Sequence, residues 1–159
     1  MDKREPKHSA FEQALRFLDR KALSEKELTD KLNRFSYTPK EIADAVTRCR
    51  ERKFINDHLM IEDCRDALFA RGNGSRLIKM KLLRRGLNSA EIAAKLADTA
   101  DQENSACSAA AEAKLKTLAR ENDPRKKREK LFRFLAARGF PPAVATKTIS
   151  ELLKKSGDQ

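Results

Sequence analysis

The sequence predicts an all-α fold, three tandem three-helix repeats forming an elongated, curved array, and three observations predict it. Strand signals are poor: in 159 residues β-branched alternation is nearly absent, Ala, Leu, Lys, Arg and Glu dominate, and there is no Trp, one Tyr, five Gly and five Pro. One five-point apolar frame occurs three times along the chain. Turn and cap residues recur at the same places in those frames.

Anchored on Leu87, the frame places Ile78 and Leu82 nine and five residues before it, and Ile92 and Leu96 five and nine after. The same offsets from Tyr37 give Leu28, Leu32, Ile42 and Val46, and from Phe140 they give Leu131, Leu135, Ala145 and Ile149. Self-similarity at a period of about 50 residues marks a repeat architecture. Residues four apart share a helix face, so each frame reads as a helix, a turn and a second helix.

The first repeat, 9–54, opens with a helix whose stripe is Phe11, Ala14, Leu15 and Leu18 in "SAFEQALRFLDRKA". The helix of Leu28 and Leu32 follows, then the turn "RFSYTPKE", where Thr38 with Glu41 fits a capping box and Pro39 a first helical position. The second repeat, 55–100, opens with Leu59, Met60, Cys64, Ala67 and Leu68 in "HLMIEDCRDALFA". Its turn "RRGLNSAE" offers Gly86 for a left-handed helix end and Asn88 or Ser89 as the next cap. The third repeat, 101–155, opens with a weaker stripe of Ala106, Ala110, Ala113 and Leu118, and turns at "ARGFPPAV" with Gly139. Met80 and Leu83 form a second apolar strip on the middle helix of repeat two, which suits a helix held between two neighbours. The ends "MDKREPKH" and "KSGDQ" are expected to fray.

Charge points to a polyanionic partner. With 37% charged residues the formal net charge is +11, and the isoelectric point is about 9.8. Arg71, Arg76, Lys79, Lys81, Arg84 and Arg85 occur between 71 and 85 with no acidic residue among them. Lys31 and Arg34 stand in repeat one where Lys81 and Arg84 stand in repeat two. Between 125 and 138, Arg125, Lys126, Lys127, Arg128, Lys130, Arg133 and Arg138 face Glu129 alone. This placement suggests a continuous basic stripe contacting phosphates or carboxylates without reading bases, since no cluster of aromatics interleaves with the charge.

Enzymatic readings find no support in the residues. "RGNGSR" lacks the spacing and the Lys-Ser/Thr of a phosphate-binding loop. Glu62, Asp63 and Asp66 sit on an exposed helix face with Arg65 as a local partner, and nothing else converges on them. Cys49, Cys64 and Cys107 are an odd number, widely spaced and without a CxxC pair; Cys49 and Cys64 read as small core residues, while His8 and His58 lack neighbours at metal-ligand spacing. Neither a metal nor a cofactor is implied. The N-terminus carries no apolar export segment and no window is apolar enough to span a membrane, so a cytoplasmic location is expected.

The stretch "RKFINDHLMIEDCRDALFARGNGSRLIKMKLLRRGL" (52–87) resembles the RecX family in its layout: Phe54, Ile55 and Asp57, then Gly74, Ile78, Leu82, Gly86 and Leu87. "LSEKELTDKL" (23–32) and "KREKLFRFLAARGF" (127–140) are similar to the corresponding stretches of the family's outer repeats. The chain departs from the family pattern at "LMIED", where an aromatic-Ala pair is usual, and at Lys81, where Glu is usual. The resemblance implies a monomeric regulator of the RecA recombinase that lies along the groove of the RecA filament on single-stranded DNA. It further implies suppression of ATP hydrolysis, strand exchange and co-protease activity, and so a place in recombination, DNA repair and the SOS response. The expected contacts are Lys31, Arg34, Arg71, Arg76, Lys79, Lys81, Arg84, Arg85, Lys126, Lys127, Lys130, Arg133 and Arg138. Two other classes stay open: a dimeric helix-turn-helix transcriptional regulator using "IKMKLLRRGLNSAEIAAKL", and a helical scaffold for an acidic partner.

Overall fold

The computed structural model describes the backbone of residues 4–157 and the side chains of residues 4–155. Among the described residues there are nine helices, in three sets of three: α1 (Ala10–Arg20), α2 (Glu25–Leu32), α3 (Pro39–Glu51), α4 (Asp57–Ala70), α5 (Ser75–Arg84), α6 (Ser89–Ala97), α7 (Ala100–Thr117), α8 (Pro124–Ala137) and α9 (Pro142–Gly157). The fold is all-α with three-helix repeats.

Local chemistry sets the helix starts. Ser9 with Glu12, Ser24 with Glu27, and Thr38 with Glu41 each close a reciprocal capping box. Asn56 Oδ1 accepts the Leu59 amide to begin α4, and Asn88 Oδ1 accepts the Ala90 and Glu91 amides to begin α6. Asp123 caps α8, with Pro124 at its first position. Gly86 and Gly139 take the left-handed conformation, φ +77° and +83°, that lets α5 and α8 stop and turn.

The apolar frame becomes the core. Fourteen of its fifteen positions are buried, and Leu96 is half-buried. The chain divides into two compact units: residues 4–61 with Leu83–Glu91, and Glu62–Leu82 with residues 92–157. In the first unit α1 packs on α2 and α3 around Ala14, Leu28, Leu32, Ile42 and Cys49, and Phe35 lies 5.9 Å from Tyr37, ring centre to ring centre. In the second unit α7, α8 and α9 enclose Cys107, Ala111, Leu131, Leu135, Phe140 and Ile149.

Three expectations are corrected here. Residues 4–8 are tied down: the Arg4 amide donates to the Arg34 carbonyl at 3.0 Å, the Ser36 amide donates to the Arg4 carbonyl at 3.0 Å, and the Tyr37 hydroxyl donates to the His8 carbonyl at 2.7 Å. At the other end α9 continues to Gly157, and residues 1–3 and 158–159 lie outside the described residues. Helix α7 buries Glu103, Cys107, Ala110 and Ala111 and leaves Ala113 exposed, because a helix so rich in alanine carries little contrast to mark its inner face. The strip formed by Met80 and Leu83 is not held between neighbours; the two side chains are 43% and 41% exposed.

Candidate partner-docking surface

The basic residues expected to form one stripe divide into those already engaged within the chain and those left unpaired. Helix α5 carries most of the second kind. Ile78 and Leu82 turn inward, so Arg76, Lys79, Lys81 and Arg84 are forced onto the outer arc. All four are exposed, and none forms an ion pair among the described residues. Arg71, just beyond α4, is exposed too. In the first unit Arg34 is exposed at the end of α2, while half-buried Lys31 sets its ammonium 5.3 Å from the centre of the Phe17 ring.

Arg85 behaves differently from its neighbours. Its Nε and Nη2 donate to the two Glu27 carboxylate oxygens at 3.0 and 2.8 Å, and Nη2 also donates to the Ala22 carbonyl at 3.0 Å. The Arg85 carbonyl in turn accepts the Ser24 hydroxyl at 2.5 Å. Burial pushes the Glu27 carboxyl up, but Arg85 and the Ser24 amide outweigh it and hold the group below the usual carboxylate range. Arg138 repeats this arrangement in the second unit. Its Nη1 donates to the Arg71 carbonyl at 2.9 Å, its guanidinium lies 5.0 Å from the Phe134 ring centre, and its carbonyl accepts the Gly74 amide at 2.8 Å. Both arginines stand two residues before a frame anchor, Leu87 or Phe140, and both hold the segment that leads into the middle helix of the preceding repeat. Arg85 and Arg138 are thus engaged within the chain as joint residues, unlike the exposed cations of α5.

Two carboxylates complete the joints: Asp57, present in the sequence only as part of the family layout, and Glu103, which no sequence pattern marks. Asp57 accepts the Glu25 amide at the start of α2, at 3.0 Å, and buried Glu103 accepts the Ser75 amide at the start of α5, at 2.8 Å. Each satisfies an orphan amide at a helix N-terminus, where negative charge is favourable. Burial raises the Asp57 carboxyl above its ordinary range against the pull of the Glu25 amide. The one sequence signal for these joints is the shared Arg-Gly pair before each anchor.

On α8, Lys126 is exposed and Lys127 half-buried. Lys130 pairs with Glu121 at 2.6 Å, and Arg133 pairs with Glu129 one helical turn away at 2.5 Å. Two carboxylates of "IEDCRD" have cationic partners: Arg65 binds its neighbour Asp66 at 2.8 Å, and Lys95 pairs with Glu62. Cys49 and Cys107 are buried, Cys64 is half-buried, and none is in a disulfide; burial pushes the Cys49 and Cys107 thiols up. Among the described residues no group of three or more His, Cys, Asp or Glu could hold a metal, and no helix is long and apolar enough to cross a membrane.

Known proteins match this arrangement over most of its length. Residues 10–49 match the family profile described as RecX, first three-helix domain, and residues 101–149 match RecX, third three-helix domain. The Regulatory protein RecX of Chlorobaculum tepidum is 32% identical over 148 residues, covering 92% of this chain and 90% of that protein. The Regulatory protein RecX of Clostridium perfringens strain 13 is 35% identical over 131 residues, covering 80% of this chain but 60% of that longer protein. The crystal structure of RecX from Lactobacillus salivarius superposes with a TM-score of 0.79 over 90% of this chain and 94% of that one, at 23% identity, and so shares the fold. Two family domains and a relative matched along nearly its whole length establish that the chain belongs to the RecX family of regulatory proteins.

Proposed function

We propose that this chain regulates the RecA recombinase by binding, as a cytoplasmic monomer, along the groove of the RecA filament on single-stranded DNA. It inhibits ATP hydrolysis, strand exchange and co-protease activity by occupying that groove, with no chemistry of its own. The observation that carries this reading is the coincidence of RecX membership with the four unpaired cations Arg76, Lys79, Lys81 and Arg84 on α5. Unpaired, exposed Lys and Arg have no internal ion pair to give up on meeting acidic protein groups or phosphates, and they accelerate encounter with a polyanion. Arg71, Arg34, Lys31, Lys126 and Lys127 extend the docking set, and Lys130 and Arg133 join it by exchanging their local partners. The repeats 9–54, 55–100 and 101–155 serve as its three recognition modules.

The test is ATP hydrolysis by RecA on pre-formed single-stranded DNA filaments, with this protein titrated far below the recombinase concentration and DNA in excess. Inhibition at a small fraction of the RecA concentration is expected. No inhibition, together with sequence-preferring duplex binding, would transfer the chain to the DNA-regulator class.

A further inference from the structure

Met80 and Leu83 are large apolar side chains that the packing leaves unused, 43% and 41% exposed on α5. At about 100° per residue they lie about 60° apart at the middle of the outer arc, with Arg76 between them, Lys79 bordering one side and Arg84 then Lys81 the other. No acidic residue occurs on this helix. The other two middle helices differ. On α2 the outward face carries the Lys26–Asp30 ion pair and no exposed large apolar residue, and on α8 exposed Phe132 is a lone apolar residue one turn from Arg128 and Glu129, the first bonded to the Ser150 hydroxyl and the second paired with Arg133. Among these three helices, only α5 combines two exposed large apolar residues with a complete lack of carboxylates.

We infer that α5 docks on protein: an apolar patch rimmed by carboxylates on the recombinase, and not the phosphates of the DNA inside its filament. The inference deepens, and rests on, the RecA reading above. A phosphate backbone offers charge to Arg76, Lys79, Lys81 and Arg84 but no apolar counterpart for Met80 and Leu83, which would stay in water. An apolar centre with a charged rim is the ordinary anatomy of a protein–protein interface, and Met with its unbranched, adaptable side chain fits irregular protein surface well. The cations then fix orientation and approach rate at the rim, while the apolar pair governs how long the complex lasts.

The deciding variant is Met80→Gln with Leu83→Gln, which keeps every charge and retains good helix formers at exposed positions. Two quantities are measured for it and for the unaltered chain: inhibition of RecA ATP hydrolysis on single-stranded DNA filaments, and affinity for the same DNA without RecA across a salt series. The expected result is inhibition weakened about tenfold or more, with DNA affinity and its salt slope unchanged, and with inhibition retained by the apolar exchange Met80→Leu with Leu83→Met. Unchanged inhibition by the double-Gln variant, or a parallel loss of DNA affinity, overturns the inference. Absence of inhibition by the unaltered chain would remove the RecA reading itself, and this inference with it.

Discussion

Replacing Arg85 by Ala removes two charge-assisted bonds to Glu27 and one to the Ala22 carbonyl. Hydrogen bonds to charged groups contribute about 1.5–3 kcal/mol each when shielded. This pair is partly wet, with the Arg85 and Glu27 side chains 23% and 26% exposed. Solvent screening lowers the sum, and the whole group is expected to stabilise the chain by about 2 kcal/mol. At about 2.1 cal/mol/K of unfolding entropy per residue, the 159-residue chain should then melt about 6 °C lower in the Arg85→Ala variant. The effect is tied to pH through Glu27, whose carboxyl lies below its ordinary value of 4.5 in the fold. Such a group stabilises the fold above its unfolded pKa, and that stability is lost as pH falls through the lower folded pKa. Thermal melts followed by circular dichroism should therefore show the full difference near pH 7 and a shrinking one as the pH drops below 4.5. A double-mutant cycle with Glu27→Gln should return a coupling of about 1 kcal/mol. Equal melting at pH 7, or a difference that persists undiminished into strong acid, would refute the ionic joint.

Gly139→Ala should destabilise the chain by about 3 kcal/mol in urea titrations, since φ is +83° and the added Cβ would sit 2.4 Å from the Leu77 amide nitrogen. Glu103→Ala should lower the urea midpoint by an amount equivalent to about 1–2 kcal/mol, because the Ser75 amide loses its buried acceptor. Reversing Lys79, Lys81 and Arg84 to Glu should abolish inhibition of RecA ATP hydrolysis with helicity unchanged; retained inhibition at moderate salt would remove α5 from the docking surface. Arg85 is left out of that set because Glu there would face Glu27 and confound docking with stability.

Pairs such as Ile78 with Leu82, or Leu131 with Leu135, were legible in the sequence because apolar residues at i,i+4 spacing encode a buried helix face directly. Leu96 matches the same pattern yet is only half-buried, since periodicity gives the direction of a side chain and not what covers it. Arg85 shows the other limit. A helical wheel places it beside Lys81 and Arg84, but its partner Glu27 comes from 58 residues upstream, and a local pattern carries no record of that encounter. Glu103 was missed for a related reason: a carboxylate in an alanine-rich helix looks solvated until the open N-terminus of α5 is seen beside it. Met80 and Leu83 were visible as an apolar strip, yet only burial separates a packing face from a docking face.

The two joints share a plan but not a lock. Where the first offers Glu27 to Arg85, the corresponding place ten residues before the next anchor is Leu77, packed against Gly139. Where Ser24 gives its hydroxyl to the Arg85 carbonyl, Gly74 gives its backbone amide to that of Arg138. A duplicated copy of the middle repeat, spliced in after itself, would bring Arg85 to the Arg71 carbonyl but leave its charge facing a leucine. The repeats are thus keyed, and shuffling or lengthening the series would have to recut a joint as well as copy a module.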